Sequence, residues 1–232
     1  MDKRVANADA AIEKLCDGAT ILIGGFGTCG NAENLIQAVL RKGTKNLTCI
    51  SNNVGTPDFG LGLLVSERRV RKLICSFPGQ NRACQQQVLD GEIEIELTPQ
   101  GSLAERVRAA GAGIPAFYTP TGVGTVVAEG KEVREFDGKP YLLERALRAD
   151  FAFIKAWRGD RWGNLVYRKT ARNFNPVWAT AADYVVAEVE ELVDLGELDP
   201  DSVHTPGIFV NTIFQGTHYV KKIEKPVVRQ RV

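Results

Sequence analysis

Four glycines, Gly24, Gly25, Gly27 and Gly30, fall within one short stretch between the apolar run Thr20-Ile-Leu-Ile23 and the residues Asn31-Ala32-Glu33. A backbone so poor in side chains holds neither helix nor strand and must turn there. Thr20 to Ile23, bounded by Gly18 and Gly24, reads as a short strand buried on both faces. After the glycines, Asn31 is the predicted helix N-cap and Glu33 sits in the first turn. Leu35, Ile36, Val39 and Leu40 form one apolar face, and Gly43 ends the helix. A strand, a glycine loop and a helix start in that order aim backbone N–H groups and a helix amino end at one place. That suits an anion such as a phosphate or a developing oxyanion. The competing reading is a tight turn with no ligand.

Gly25-Phe26-Gly27-Thr28-Cys29-Gly30 also has the spacing of the dinucleotide fingerprint. That fold needs an acidic residue about 20 positions further on to hold the ribose hydroxyls. The next predicted strand, Leu47 to Ile50, ends instead in Ser51-Asn52-Asn53, which disfavours a nicotinamide cofactor. Other classes fall to composition. A net charge of +1 leaves no basic excess for nucleic acid. No run approaches the roughly 18 apolar residues of a membrane span, and the first residues lack a signal core, so a cytoplasmic protein is expected. The 232 residues are expected to form a single domain over 1–232. Five scattered cysteines without a CxxC pair read as reduced thiols in or near cores. With only His204 and His218, both expected at the surface, a metal cage or a histidine triad is hard to assemble, and no metal site is expected.

Residues 5–16 have helical periodicity through Val5, Ala8, Ile12 and Leu15. Two further predicted strands, Leu47 to Ile50 and Val70 to Cys75, are each followed by a polar loop, 51–57 and 76–81. In open α/β sheets that edge binds ligands. Asn52 and Asn53 offer amide donors and acceptors there, or close the loop as an Asx turn. Residues 82–90 permit a helix, and Glu92 to Leu97 alternates as a half-buried strand whose glutamates form a solvated face. Ser102 and Glu105 have capping-box spacing for a helix to about Gly111. Gln100, held between Pro99 and Gly101 just ahead of it, is a candidate donor to an oxyanion. Ile114 to Tyr118 is a strand, and the loop with Gly122 and Gly124 is a turn or a pocket wall. Glu132 to Phe136, Pro140 to Leu143, Phe151 to Trp157 and Asn164 to Arg168 read as hairpin strands. Arg168 to Pro176 is a basic and amide cluster, either a solvated face or a phosphate contact. Strands at Tyr184 to Ala187 and Ile208 to Asn211 precede a charged tail, 221–232. The fold class is therefore α/β: an open, largely parallel sheet with helices on both faces, plus C-terminal β-hairpins.

These stretches together resemble one family. Asp17-Gly18 through Gly24-Gly25-Phe26 to Gly30, Ser51-Asn52-Asn53, Leu97-Thr-Pro-Gln-Gly101 with Leu-Ala-Glu105, residues 111–118 and Ala171-Arg-Asn-Phe174 follow the order found in the A (alpha) subunits of family I CoA-transferases, over residues 6–225. The 3-oxoacid branch, which moves CoA between succinate and acetoacetate, is the most similar. The resemblance implies a CoA-transferase-like fold and a partner B (beta) subunit, in a heterodimer or heterotetramer. It implies no permanently bound cofactor; coenzyme A and acyl-CoA are substrates, with a small oxoacid. Gly24, Gly25, Phe26, Gly27, Thr28, Cys29 and Gly30 would bind CoA or pack on it, and Gln100 would help hold the carbonyl oxygen. Asn52, Asn53, Phe77, Gln80, Gly122 and Gly124 would line the substrate pocket. The family's nucleophilic glutamate lies in a Ser-Glu-Asn-Gly stretch of the B half, and no such tetrapeptide occurs here. Ala32 replaces the proline that ends the signature, a change expected to cost little at a first helical position. Phe77-Pro78-Gly79-Gln80-Asn81 and Gly159-Asp-Arg-Trp-Gly-Asn164 are closer to the 3-oxoadipate branch, whereas Phe59-Gly-Leu-Gly62 and the tail are closer to the acetoacetate branch. An acyl-CoA hydrolase, a NAD-dependent oxidoreductase and a nucleotide-binding module are the competing functions.

Overall fold

The computed structural model describes residues 2–79, 81–220 and 222. Its first half is a regular alternation: α1 (Ala8–Ala11), β1 (Thr20–Ile23), α2 (Glu33–Lys42), β2 (Leu47–Asn53), α3 (Leu61–Ser66), β3 (Val70–Phe77), α4 (Arg82–Leu89), β4 (Glu94–Leu97) and α5 (Gln100–Gly111). Strands dominate afterwards: β5 (Ala116–Thr119), β6 (Val133–Phe136), β7 (Lys139–Arg145), β8 (Ala149–Asp160), β9 (Leu165–Val166), the short α6 (Asn175–Trp178), β10 (Ala182–Val193) and β11 (Thr212–Gln215).

The main sheet has the order β11-β10-β8-β1-β2-β3-β4, all parallel, with β9 antiparallel on the far part of β8. β1 is the middle strand and is buried on both faces, as its unbroken apolar sequence predicts. Ile21 and Ile23 face one core with Leu35, Ile36 and Val39 of α2 and Leu64 and Val65 of α3. Leu22 faces the other, with Leu103 and Val107 of α5 and Trp178 of α6. From β1 the chain steps outward through β2, β3 and β4, then returns to the opposite side of β1 as β8. The carboxyl ends of β1 and β8 therefore border a topological switch point, the crevice where open parallel sheets place ligands. The glycine loop leaves β1 at that point.

Several elements depart from the sequence expectation. The helix expected over 5–16 is one turn, because Asn7 caps it and the chain then turns at Ile12, with Leu15 N–H donating to its carbonyl at 2.9 Å. Ile12 and Leu15 reach the core without a longer helix. β2 and β3 run further than expected, since pairing continues through Ser51 with Cys75 and Asn53 with Phe77; Asn52 and Asn53 are strand residues. The 151–157 run is part of a central parallel strand, with Phe153 in one core and Ile154 in the other. The last strand is Thr212–Gln215, and Ile208 lies in a 3-10 turn instead. A separate antiparallel sheet, β5-β7-β6, carries the 136–139 hairpin, whose Asp137-Gly138 turn has φ of 50° and 73° as a type I′ turn requires. Pro99 is extended, with ψ of 138°, and α5 begins at Gln100, so Ser102 is inside the helix and Glu105 pairs with Arg108. The capping box is not formed. Glu96, expected on a solvated face, is half-buried and paired with Arg106 at 2.7 Å.

Two leucines test the reading of the core. Leu22 is 0% exposed at the sheet centre, while Leu89 on α4 is 81% exposed. Leu22→Ala is expected to lower unfolding free energy by about 2–5 kcal/mol, and Leu89→Ala to change it by no more than about 0.5 kcal/mol. Urea denaturation of the two variants checks this; similar losses in both would contradict the assignment of β1 as the doubly buried strand.

Candidate active site

The glycine loop is held by its carbonyl oxygens. Phe26 and Cys29 exchange backbone hydrogen bonds at 2.9 and 3.0 Å, closing a small turn. Asn31 Nδ2 donates to Gly27 O at 3.3 Å, Asn173 Nδ2 to Cys29 O at 3.0 Å and Asn175 Nδ2 to Gly30 O at 3.0 Å. Phe174, between the last two, stacks on Phe26 with ring centroids 6.4 Å apart. The N–H groups of Gly25, Gly27 and Gly30 make no hydrogen bond among the described residues. Side-chain amides thus tie the loop's acceptors to the protein and leave the N–H groups of Gly25, Gly27 and Gly30 without partners among the described residues, the condition for a backbone anion nest. Gly24 is required by this clamp: a Cβ there would stand 1.9 Å from Asn175 Oδ1. Gly30 adopts φ of 78°, and its Cβ would meet the Asn173 amide at 2.8 Å.

Asn31 is therefore not the helix cap. The N-cap of α2 is Ala32, which supplies no side-chain bond, and Asn31 turns back across the loop instead. The cap comes from the sheet. Glu188 of β10 is fully buried, and its Oε2 accepts from Leu35 N–H at 3.0 Å while Oε1 accepts from Asn34 Nδ2 at 2.9 Å. Burial pushes its carboxyl pKa up, partly offset by these two donors. The amino end of α2, read from sequence as open to an anion, already holds one of the protein's own. Glu33, also raised by burial, accepts from Val220 N–H at 3.2 Å. A cavity of about 360 Å³ lies behind the loop, lined by Thr28, Cys29, Gly30, Lys155, Trp157 and Arg168 among others.

On the other side of the loop, three elements converge at the carboxyl edge of the sheet. Gln100 Nε2, on the first residue of α5, donates to Asn52 Oδ1 at 2.7 Å. Ser76 Oγ of β3 lies 2.9 Å from the same Oδ1 and donates to Asn52 O at 2.8 Å. Asn52 is nearly buried, and Gln100 is exposed. A carboxamide has two N–H groups, so Gln100 retains one beyond the bond to Asn52. Pro99 and the start of α5 fix the backbone from which it projects.

Asn53 and Phe77 stand side by side in register at the ends of β2 and β3, with Phe77 59% exposed. Gly122 and Gly124 lie in the turn after β5 in the antiparallel sheet, where Gly122 packs on Val127 and Leu142. Gln80 lies outside the described residues, as does most of the expected charged tail. Cys29 Sγ is 3.3 Å from Thr170 Oγ1; Cys49, Cys75 and Cys84 are buried, and burial pushes the Cys49 and Cys75 thiols up to about 12. Cys16, by contrast, is exposed. His204, expected at the surface, is half-buried and accepts from Tyr167 N–H at Nδ1, with burial lowering its pKa; His218 is exposed. Among the described residues no cluster of three or more His, Cys, Asp or Glu side chains is placed to hold a metal ion.

Two parts of this arrangement are missed by sequence reasoning. Residues 168–176 read as a solvated basic face or a phosphate contact, yet Asn173 and Asn175 serve the loop's carbonyls. Glu188 is the other. Its signal lies in Val186-Ala-Glu188-Val189, where a carboxylate occupies a core register of a β-branched strand.

The coenzyme A transferase family pattern matches residues 5–216. The A subunit of a Helicobacter pylori succinyl-CoA:3-ketoacid coenzyme A transferase is 56% identical over 229 residues, covering 99% of each chain. A human mitochondrial succinyl-CoA:3-ketoacid coenzyme A transferase is 52% identical, with 92% of this chain aligned to 45% of that longer one. Among solved structures, an acyl-CoA transferase of Escherichia coli O157:H7 in a thioester complex with CoA superposes with a TM-score of 0.83 at 27% identity. It covers 93% of this chain, which spans about half (47%) of that one. The chain belongs to the coenzyme A transferase family.

Proposed function

We propose that this chain is the A subunit of a cytoplasmic succinyl-CoA:3-oxoacid CoA transferase, forming one CoA-transferase domain over 1–232 and acting with a B subunit. The observation that carries the proposal is the 56% identity, over 99% of both chains, to the A subunit of an enzyme with that activity. Support for a partner comes from the chain's own carboxylates. Glu92, just before β4, pairs with Arg68, Glu94 of β4 with Lys72 of β3, Glu96 with Arg106, and Glu105 with Arg108. Glu33 and Glu188 are engaged at the start of α2. None of these is free at the edge where Asn52 and Gln100 converge. In the reaction, the B subunit's glutamate attacks the thioester carbonyl of succinyl-CoA, giving a mixed anhydride and CoA thiolate. The thiolate attacks the glutamyl carbonyl of the anhydride, succinate leaves, and an enzyme glutamyl-CoA thioester remains. The oxoacid carboxylate then attacks that thioester, and the same two steps in reverse yield its CoA ester and restore the glutamate.

In this reading the present chain binds and orients. The N–H groups of Gly25, Gly27 and Gly30, which have no partner among the described residues, face CoA, which packs on the loop and enters as substrate, with no cofactor held between turnovers. The remaining N–H of Gln100 meets the carbonyl oxygen as charge develops on it, with Asn52 and Ser76 holding the amide in place. Asn53 and Phe77 line the acid pocket, and Gly122 and Gly124 shape its wall.

The role of Gln100 is checked in the assembled enzyme. Gln100→Ala is expected to lower kcat by about 10²–10³, roughly 2.7–4 kcal/mol, with a small change in KM. Because Gln100 is anchored on Asn52, Asn52→Ala should remove part of the same contribution, and the double variant should lose less than the sum. Additive losses, or an unchanged kcat in Gln100→Ala, would remove this pair from the mechanism.

The partner requirement has a direct test. This chain alone should transfer no CoA. With acyl-CoA and the B subunit but no acceptor, hydroxylamine should trap the thioester as a mass shift on a B-subunit peptide. A label on this chain would overturn the two-subunit reading. For the acceptor, acetoacetate is expected to compete favourably with 3-oxoadipate. A preference of about tenfold for 3-oxoadipate, near 1.4 kcal/mol in transition-state binding, would transfer the assignment to that dicarboxylic substrate.

A further inference from the structure

We propose that Glu188 is a positioning residue for the glycine loop, acting from two strands away by capping the helix into which the loop runs. Glu188 makes no hydrogen bond to the loop itself among the described residues. It belongs to β10, which is separated from β1 by β8. Its carboxylate accepts from Leu35 N–H in the first turn of α2 and from the Asn34 side chain, whose own Oδ1 accepts from Thr217 N–H at 3.2 Å. One buried group therefore joins β10, the helix start and the 216–220 segment. α2 has no cap from its own sequence, since Ala32 stands where Ser, Thr, Asp or Asn would bond. The position of the loop's exit is set by the sheet instead.

The register explains why this reaches the loop. Glu188 lies opposite Lys155 of β8. Lys155 N–H donates to Asn175 Oδ1 at 2.9 Å, and Asn175 Nδ2 holds Gly30 O. The adjacent strand positions thus control both sides of the turn: Lys155 through Asn175 at Gly30, and Glu188 through Leu35 and Asn34 at the helix. Lys155 Nζ is committed elsewhere, to Glu190 Oε1 at 2.7 Å and over the Tyr219 ring at 3.7 Å. It makes no direct hydrogen bond to Glu188 among the described residues and acts on it only through its nearby charge, so the hydrogen bonds to the Glu188 carboxylate come from α2. Filling the helix end with an internal carboxylate also leaves the loop amides, rather than Leu35 N–H, as the place for a substrate anion.

The kinetic part of this inference rests on the coenzyme A reading; the structural part does not. Glu188→Gln and Glu188→Ala are prepared in this chain and assembled with the B subunit, and hydrogen exchange of peptides spanning 24–35 is followed alongside steady-state kinetics. Gln keeps the volume and one acceptor but sets an N–H₂ against Asn34 Nδ2, so it serves if Ala fails to fold. Exchange over 24–35 is expected to rise about tenfold, the scale of a lost cap. KM for succinyl-CoA should rise about tenfold with kcat within about threefold, the pattern of weakened binding with chemistry intact. Exchange within about twofold of wild type in this segment would overturn the proposal, as would a lowered Tm with KM unchanged at temperatures where the variant is folded. If wild type with its B subunit transfers no CoA, the coenzyme A reading fails, and the exchange data still decide what Glu188 holds.

Discussion

The structure depends on the pull of three side-chain amides on three carbonyl oxygens. Gly27 and Gly30 lie in a turn with no secondary structure to satisfy their carbonyls, and Asn31 and Asn175 supply those donors, while Asn173 adds a second donor to Cys29 O, which already accepts from Phe26 N–H. Each such bond contributes only about 1 kcal/mol net, but a buried carbonyl left unpaired would cost more, so the three together fix a conformation rather than merely add stability. Two of the amides come from the stretch between β9 and β10, so the loop after the first strand cannot take its shape until the second half of the chain has docked. That requirement links the sheet's switch point to the site: β8 and its following turn must lie beside β1 for Asn175 to reach both Lys155 N–H and Gly30 O.

A second constraint follows from burying charge in the same region. Glu188 and Lys155 are both nearly or fully buried, as neighbours on adjacent strands. Removing an ion from water costs several kcal/mol unless hydrogen bonds replace its hydration. Here Glu188 is compensated by two donors of α2, and Lys155 by Glu190 and the Tyr219 ring, while Glu190 also accepts from Arg168. The network spans β8, β10, α2 and the segment after β11. It makes the loop's surroundings stiff and leaves its carboxylates unsuited to attack a substrate, since each is already held by donors.

The sequence is most legible where local chemistry and tertiary need agree. The four residues of β1 have the limits their sequence predicts because an apolar β-branched run between glycines has one good use, a strand buried on both faces. Gly43 ends α2 as expected for a similar reason, with φ of 76°. Boundaries fail where long-range pairing decides them. Asn52 and Asn53 look like loop residues by composition, yet β3 continues beside them and extends the strand. Ser102 and Glu105 have capping-box spacing, but Pro99 starts the helix sooner. The site is half legible. Glycines announce a turn, and Gln100 between Pro99 and Gly101 announces a fixed amide, but nothing local marks Asn173 and Asn175 as donors to carbonyls 144 and 145 positions away.

The two sides of the glycine loop differ in what they offer, and the difference bears on the division of labour in the proposed two-chain enzyme. On the β8 side most of the charged groups are paired within the chain: Lys155 and Arg168 with Glu190, Lys222 with Asp58. On the β2 side the groups are neutral, with Asn52, Asn53, Ser76 and Gln100 offering dipoles and Phe77 an exposed ring. Neutral amides suit a place where charge appears only in the transition state, because they stabilise it without binding an anion in the ground state. They also impose little desolvation cost on an approaching carboxylate from another chain. A fixed cation at that edge would hold such a carboxylate as an ion pair and lower its nucleophilicity; an edge of amides leaves it free to attack.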